Sequence, residues 1–145
     1  MIYIGDSPIE WLSKLLTHAS QSAQHSEYQA LAMACKGTMW IRHLVADMGF
    51  AAWVSLPTPL LGDNNAAITL ARNDILTQGN RFYTPDLHYA KEVYENGWCC
   101  PRKVASEDNV SDGGTKCVTT AIFIRHQPMV LGYGKLPPIP PTPKV

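Results

Sequence analysis

Apolar residues recur along this chain with spacings that change from two to about 3.6 and back. Met1-Ile-Tyr-Ile4 is apolar and β-prone, Gly5-Asp-Ser-Pro8 is turn chemistry, and Ile9-Glu-Trp-Leu-Ser13 alternates apolar and polar positions. Together they predict a hairpin beginning at the first residue. Residues 17–25 are polar and read as a loop. The longest pattern follows and predicts a helix over 23–48, ended by Gly49. Its stripe is Glu27, Leu31, Ala34, Ile41, Leu44, Val45 and Met48. That places Glu27 on the buried face near the helix start, where the dipole favours a carboxylate.

Pro57-Thr-Pro59 leads into a short strand, Leu60-Leu61, which stops at Gly62-Asp63. Asn64 or Asn65 can cap a helix running through Ala66, Ala67, Ile68, Leu70 and Ala71. A strand ending in an acid and followed at once by a helix exposes that side chain at the sheet's carboxyl edge. Residues 77–80 read as a loop, and Pro85 suits the first turn of a helix ending at Asn96-Gly97. Residues 98–105 predict a strand and 106–110 a polar loop, after which Asp112 is expected to open a last small helix. Residues 118–129 fit a helix or a strand. The segment 135–145 carries five prolines, so it cannot extend a core helix and is expected to be extended or disordered. There is no internal repeat. The alternation of strands and helices defines an α/β class, with one domain over 1–134 and the proline-rich tail beyond it.

Composition fits a single soluble globular domain: 145 residues, 46% hydrophobic and 17% charged. Lys+Arg and Asp+Glu are both 12, so net charge is zero. Bulk charge therefore does not supply tight sequence-independent nucleic-acid binding, although a local basic patch is compatible with this balance. Cys35, Cys99, Cys100 and Cys117 match neither a zinc module nor a disulfide framework, and read as reduced and structural. Nothing resembles a signal peptide or a run of ~20 apolar residues.

Three acids stand at the edges of apolar or small-residue elements: Glu27 in Ser-Glu-Tyr, Asp63 in Gly-Asp-Asn-Asn, and Asp112 in Ser-Asp-Gly-Gly-Thr-Lys. Each has a plainer reading when taken alone. Glu27 is then an acid of a helix start, Asp63 a turn former and Asp112 an N-cap. Brought to one end of a sheet, the three would make a site for hard divalent cations. His88, beside Tyr89, reads as a packing or hydrogen-bonded residue. His18, His25, His43 and His126 lack metal-ligand spacing. Trp11, Trp40, Trp53 and Trp98 have apolar neighbours and read as core.

Taken in order, several stretches resemble the ribonuclease H domain of copia-type, long-terminal-repeat retrotransposon polyproteins. They are Gly5-Asp-Ser-Pro-Ile-Glu-Trp-Leu-Ser-Lys14, Ser22-Ala-Gln-His-Ser-Glu-Tyr-Gln-Ala-Leu31, Trp40-Ile-Arg-His-Leu44 and Pro59-Leu-Leu-Gly-Asp-Asn-Asn-Ala-Ala67, then Leu87-His-Tyr-Ala-Lys-Glu92 and Glu107-Asp-Asn-Val-Ser-Asp-Gly-Gly-Thr-Lys116. No one motif is specific; their order and spacing are. Two stretches depart from the pattern: Thr115-Lys-Cys-Val118 and Asn80-Arg-Phe-Tyr-Thr-Pro-Asp86.

The resemblance implies a ribonuclease H-like mixed β-sheet flanked by helices. It implies hydrolysis of the RNA strand of RNA/DNA hybrids by a two-metal mechanism, with Glu27, Asp63 and Asp112 as catalytic and metal-binding carboxylates for Mg²⁺ or Mn²⁺. Asn64, Asn65 and Lys116 would contact substrate, and Lys14, Arg81, Lys91, Arg102 and Lys103 are further candidate phosphate contacts. The family's first aspartate lies on a central first strand that no residue of this sequence matches; Asp6, in the hairpin turn, is a poor substitute. Impaired catalysis and a gap in the sheet are therefore expected. The implied partners are an RNA/DNA hybrid and the reverse transcriptase domain of the same polyprotein, in the cytoplasm within a virus-like particle or in the nucleus. The alternative is a catalytically inactive ribonuclease H-like module that binds nucleic acid or protein.

Overall fold

The computed structural model describes residues 1–13, 23–72 and 84–141. The N-terminal alternation folds as a hairpin, β1 (Ile2–Ile4) against β2 (Ser7–Glu10), antiparallel. Gly5 turns the chain with φ of 59°, a left-handed value at which a glycine carries no Cβ penalty. The predicted loop over 17–25 and the loop over 77–80 lie largely or wholly outside the described residues.

Helix α1 (Ala23–Val45) gives way to a π turn, Ala46–Phe50, in which Gly49 takes φ of 92°, and then to a 3-10 turn, Ala51–Val54. Its buried stripe is Tyr28, Ala32, Cys35, Thr38, Met39 and Arg42. This sits one position later than the hydropathy pattern placed it: Glu27, Leu44 and Met48 are exposed, and Leu31, Ala34, Ile41 and Val45 only half-buried. The reason is local bonding and volume. The helix turns the small Ala32, Cys35 and Thr38 towards its neighbours along with Tyr28 and Met39, and Arg42 belongs to that face because its guanidinium meets three acceptors there.

β3 (Thr58–Gly62), α2 (Asn65–Arg72), α3 (Thr84–Glu95) and β4 (Cys99–Lys103) follow, with β3 and β4 paired in parallel. Both strands contain a proline. The ladder bonds Thr58 N–H to Trp98 O and Val104 N–H to Gly62 O use even-numbered residues. Pro59 and Pro101 therefore turn their missing donors away from the pair, where a proline breaks no ladder bond between the two strands. Tyr28, Cys35, Met39, Leu60, Ala67, Ala71, Ala90, Val93 and Cys99 form the core, with Leu31 and Tyr89 packed against it. α1, α2 and α3 thus cover the parallel pair.

The chain is mixed α/β, as expected, but its four described strands form two separate pairs, β1–β2 and β3–β4, with no ladder joining them. After β4 come two 3-10 turns, Ser106–Asp108 and Val110–Gly114, and then α4 (Thr120–Val130). Asp112 therefore does not open an α-helix. Gly113 and Gly114 are poor helix formers, so the turn ends there and the helix begins after Thr119, whose Oγ1 accepts from Ile122 N–H at 3.4 Å. The ambiguous 118–129 stretch is helical despite Pro128. The tail runs without regular structure through 141; residues 142–145 lie outside the described residues.

The tryptophans are not core. Trp11, Trp40 and Trp53 are 73%, 62% and 69% exposed, and Trp98 39%. Apolar neighbours in sequence do not decide which side of an element faces inward. Among the described residues no helix is long and apolar enough to cross a membrane.

Candidate functional site

The three acids come from three elements. Asp63 follows the last residue of β3, and Asn64 caps α2: Asn64 Oδ1 accepts from the N–H groups of Ala66 at 3.0 Å and Ala67 at 3.2 Å. This cap fixes the strand-to-helix turn and leaves the Asp63 side chain 13% exposed. Lys103 donates to the Asp63 carbonyl, tying the end of β4 to the same turn.

Asp112 is placed by its own 3-10 turn and is 8% exposed. Asn109 Oδ1 caps the turn by accepting from Ser111 N–H at 3.3 Å, while Asn109 Nδ2 donates to Asp112 Oδ1 at 2.8 Å. The sequence motif offered Asp112 as the cap, whereas Asn109 does that work and leaves Asp112 free to face the site. Below the turn, Arg125 pairs with Asp108, and His126 Nε2 donates to Glu107 O at 2.9 Å. His126 is buried and anchors α4 under the site, a role its sequence context did not signal.

Glu27 lies in the second turn of α1, next to the fully buried Tyr28. The residue is exposed overall, yet its pKa is raised above the ordinary glutamate range. Desolvation contributes most, followed by the like charges of Asp63 and Asp112, with Lys116 pulling the other way. Glu27 on α1 thus lies near enough to Asp63 and Asp112 to feel both charges.

Lys116 stands in the middle. Its Nζ is 2.7 Å from Asp112 Oδ2 and 3.9 Å from Asp63 Oδ2. Its hydrogen bond to Asp112, and then the charges of Asp112, Asp63 and Glu27, hold the ammonium pKa above the usual lysine value. The donor set suits a hard divalent cation, because every group is a carboxylate, and Asp63 and Asp112 already reach one cationic centre. Among the described residues, however, no three His, Cys, Asp or Glu side chains are grouped closely enough to hold a metal ion as they stand. A divalent cation here would require the carboxylates to draw in and the ammonium to leave.

Other sequence candidates are placed elsewhere or otherwise engaged. Asn64 uses its amide oxygen as the α2 cap, and Asn65, the first residue of α2, is exposed. Arg102 Nη1 donates to Pro140 O at 2.6 Å, and Lys91 pairs with Glu95 at 3.4 Å on α3. His88 is exposed on α3. Asp6 accepts from the Leu136 N–H at 3.0 Å. Lys14 and Arg81 lie outside the described residues.

A mixed α/β domain in which Asp63 and Asp112 meet at one ammonium, with Glu27 nearby on α1, is the class defined by this geometry. The chain is similar to the Retrovirus-related Pol polyprotein from transposon RE2 of Arabidopsis thaliana, with 25% identity over 138 residues, 95% of this chain and 9% of that protein. It is similar to the corresponding RE1 polyprotein of the same plant, with 24% identity over 138 residues and the same coverage. The chain thus spans 9% of the length of these curated relatives. Similarity along nearly the whole chain supports a retrotransposon origin. No family model matches the chain. No solved structure matches it.

Proposed function

We propose that this chain is the ribonuclease H-type domain of a retrotransposon reverse transcriptase, built to hydrolyse the RNA strand of RNA/DNA hybrids. The observation that carries this reading is that Asp63 and Asp112 meet at one ammonium, with Glu27 near enough to feel both of their charges. Phosphodiester hydrolysis is slow because negative charge builds up on the phosphate as water attacks. Mg²⁺ or Mn²⁺, when bound, would activate that water and stabilise the leaving 3′ oxygen. Asp63 and Asp112 would be the principal holders of such an ion and Glu27 the third. The chain's own part is to fix these acids: the Asn64 cap sets Asp63, and the Asn109 hydrogen bond sets Asp112. RNA is distinguished from DNA through 2′-hydroxyls in a wide, shallow minor groove, and Asn65, exposed two residues after Asp63, would contribute there.

We expect Glu27, Asp63 and Asp112 by themselves to bind metal weakly and to support slow cleavage. Incubation of the chain with a labelled RNA/DNA hybrid and Mg²⁺ or Mn²⁺ is expected to give slow RNA-strand cleavage that Asp63→Asn and Asp112→Asn both abolish. Cleavage that is metal-independent, or that survives both substitutions, would sink the reading. A second reading, a catalytically inactive module that binds nucleic acid or protein, is favoured by the Lys116 ammonium lying against the acids. Hybrid binding that needs no metal and yields no product would establish it.

A further inference from the structure

We propose that Lys116 is a built-in competitor of divalent metal: its ammonium occupies the cation position between Asp63 and Asp112, and a metal ion binds only by displacing it. The inference rests on the metal-centre reading above and concerns how that centre is regulated. Three observations carry it. First, the ammonium contacts both aspartates, at 2.7 Å and 3.9 Å, so it lies where their charges converge. Second, Lys116 follows Asp112 by four residues across the Gly113-Gly114 turn, and its backbone N–H donates to Asp112 O at 2.9 Å. That bond fixes the root of the side chain beside the site while leaving its four-carbon stem free to swing. Third, the Lys116 side chain is 52% exposed, whereas those of Asp63 and Asp112 are 13% and 11% exposed. The acids are largely shielded, whereas the cation has solvent to move into.

The energetics favour exchange over a permanent lock. A half-exposed ion pair is only weakly stabilising, and both partners can be rehydrated. A dication attracts the same acids with twice the charge. Without any cation the acids repel one another, which is the condition that Lys116 relieves in the metal-free chain. In this state the lysine cannot serve as a phosphate contact, because its ammonium is engaged with the carboxylates. Displacement would free it to point outward, so metal loading and any phosphate contact by Lys116 are coupled.

The test is calorimetric titration of the full chain with Mn²⁺ and with Mg²⁺, comparing wild type, Lys116→Gln and the remote charge control Lys135→Gln. Removal of the resident ammonium is expected to raise metal affinity by about tenfold, the scale of one unit charge a few ångströms away in a half-exposed site. Lys135→Gln should leave affinity unchanged. In the absence of metal, Lys116→Gln should also lower the melting temperature, and metal should restore it. If Lys116→Gln fails to fold, NMR observation of the wild-type Lys116 side chain during Mg²⁺ titration replaces it. Its signals should shift from a paired to a free ammonium in step with metal binding. Metal binding that is equal in wild type and Lys116→Gln, or that leaves the Lys116 signals unmoved, overturns the competition and leaves the metal centre intact. No metal binding by any form overturns both.

Discussion

Arg42 shows how one residue can join segments that hydropathy does not connect. It is 9% exposed on α1, and its guanidinium donates to Leu56 O at 2.9 Å, Thr58 Oγ1 at 2.8 Å and Val54 O. These contacts bind the irregular 51–57 stretch and the start of β3 to the helix, and hence set the strand that delivers Asp63. Arg42→Met would leave three acceptors without a donor, at a cost of about 3 kcal/mol, visible as a lower urea midpoint. Wild-type stability in this variant would disprove the clamp. Arg42→Lys should recover only part of the loss, because one ammonium cannot span the same fork. The cysteines make a second residue-scale case. Burial pushes the Cys35 thiol up to about 12 and the Cys99 thiol to about 11, from 9.0. Ionisation is therefore easier in the unfolded chain, so their contribution to stability is full below pH 9 and is lost as pH rises through 11–12. At pH 8, iodoacetamide should label the exposed Cys117 promptly, while Cys35 and Cys99 react only after unfolding. Prompt labelling of either buried thiol would contradict the core as described.

At the scale of elements, the sequence carried most of the helices because their signals are local. Asn64 before Ala66-Ala67 is a cap by chemistry alone, and it caps α2. Asn64→Ala is expected to cost about 1 kcal/mol and to loosen the turn holding Asp63, detected as a lower melting temperature and faster amide exchange at Ala66 and Ala67. The register of α1 was less legible. Large aliphatics such as Leu44 and Met48 drew the stripe one residue early, because ranking by hydrophobicity ignores Thr38 and Arg42, which are buried by bonding and close packing. The turn around Asp112 was misread for a related reason. The motif Ser-Asp-Gly-Gly looks like a helix start, yet the cap comes from Asn109, three residues earlier. What the sequence did carry is the place of Asp63 after a strand and of Asp112 in a short turn, since each stands beside turn or cap chemistry. The sequence offered Lys116, four residues after Asp112, as a substrate contact; it did not show that its ammonium would pair with the acids.

At the scale of the molecule, the question is what unites two strand pairs that share no ladder. α1 touches both: Gly37 lets Ile2 approach, since a Cβ there would sit 3.1 Å from Ile2 Cδ1, and the same helix packs on β3. Ser13, just past β2, donates its hydroxyl to Gly114 O at 3.0 Å and so ties the hairpin to the turn bearing Asp112. The proline-rich tail adds a third link. Its Leu136 N–H meets Asp6 in the hairpin turn at 3.0 Å, and its Pro140 carbonyl meets Arg102 of β4 at 2.6 Å. One short extended segment therefore contacts both strand pairs, and its prolines reduce the entropy lost in holding it straight. Truncation after Gly134 removes both bonds, each made to a charged side chain, and should destabilise the chain by about 2–4 kcal/mol in urea unfolding. The loss should not be uniform. β3 and β4 stay under α1, α2 and α3, whereas the hairpin has fewer alternative supports. Hydrogen exchange should therefore accelerate at Ile2–Glu10 well before it does at 58–62. Asp6→Ala should reproduce the hairpin effect alone, because it cuts the first link and spares the second. Equal exchange in both strand pairs after truncation, or an unchanged urea midpoint, would show that the tail merely lies on the surface and that α1 and the Ser13 bond unite the fold without it.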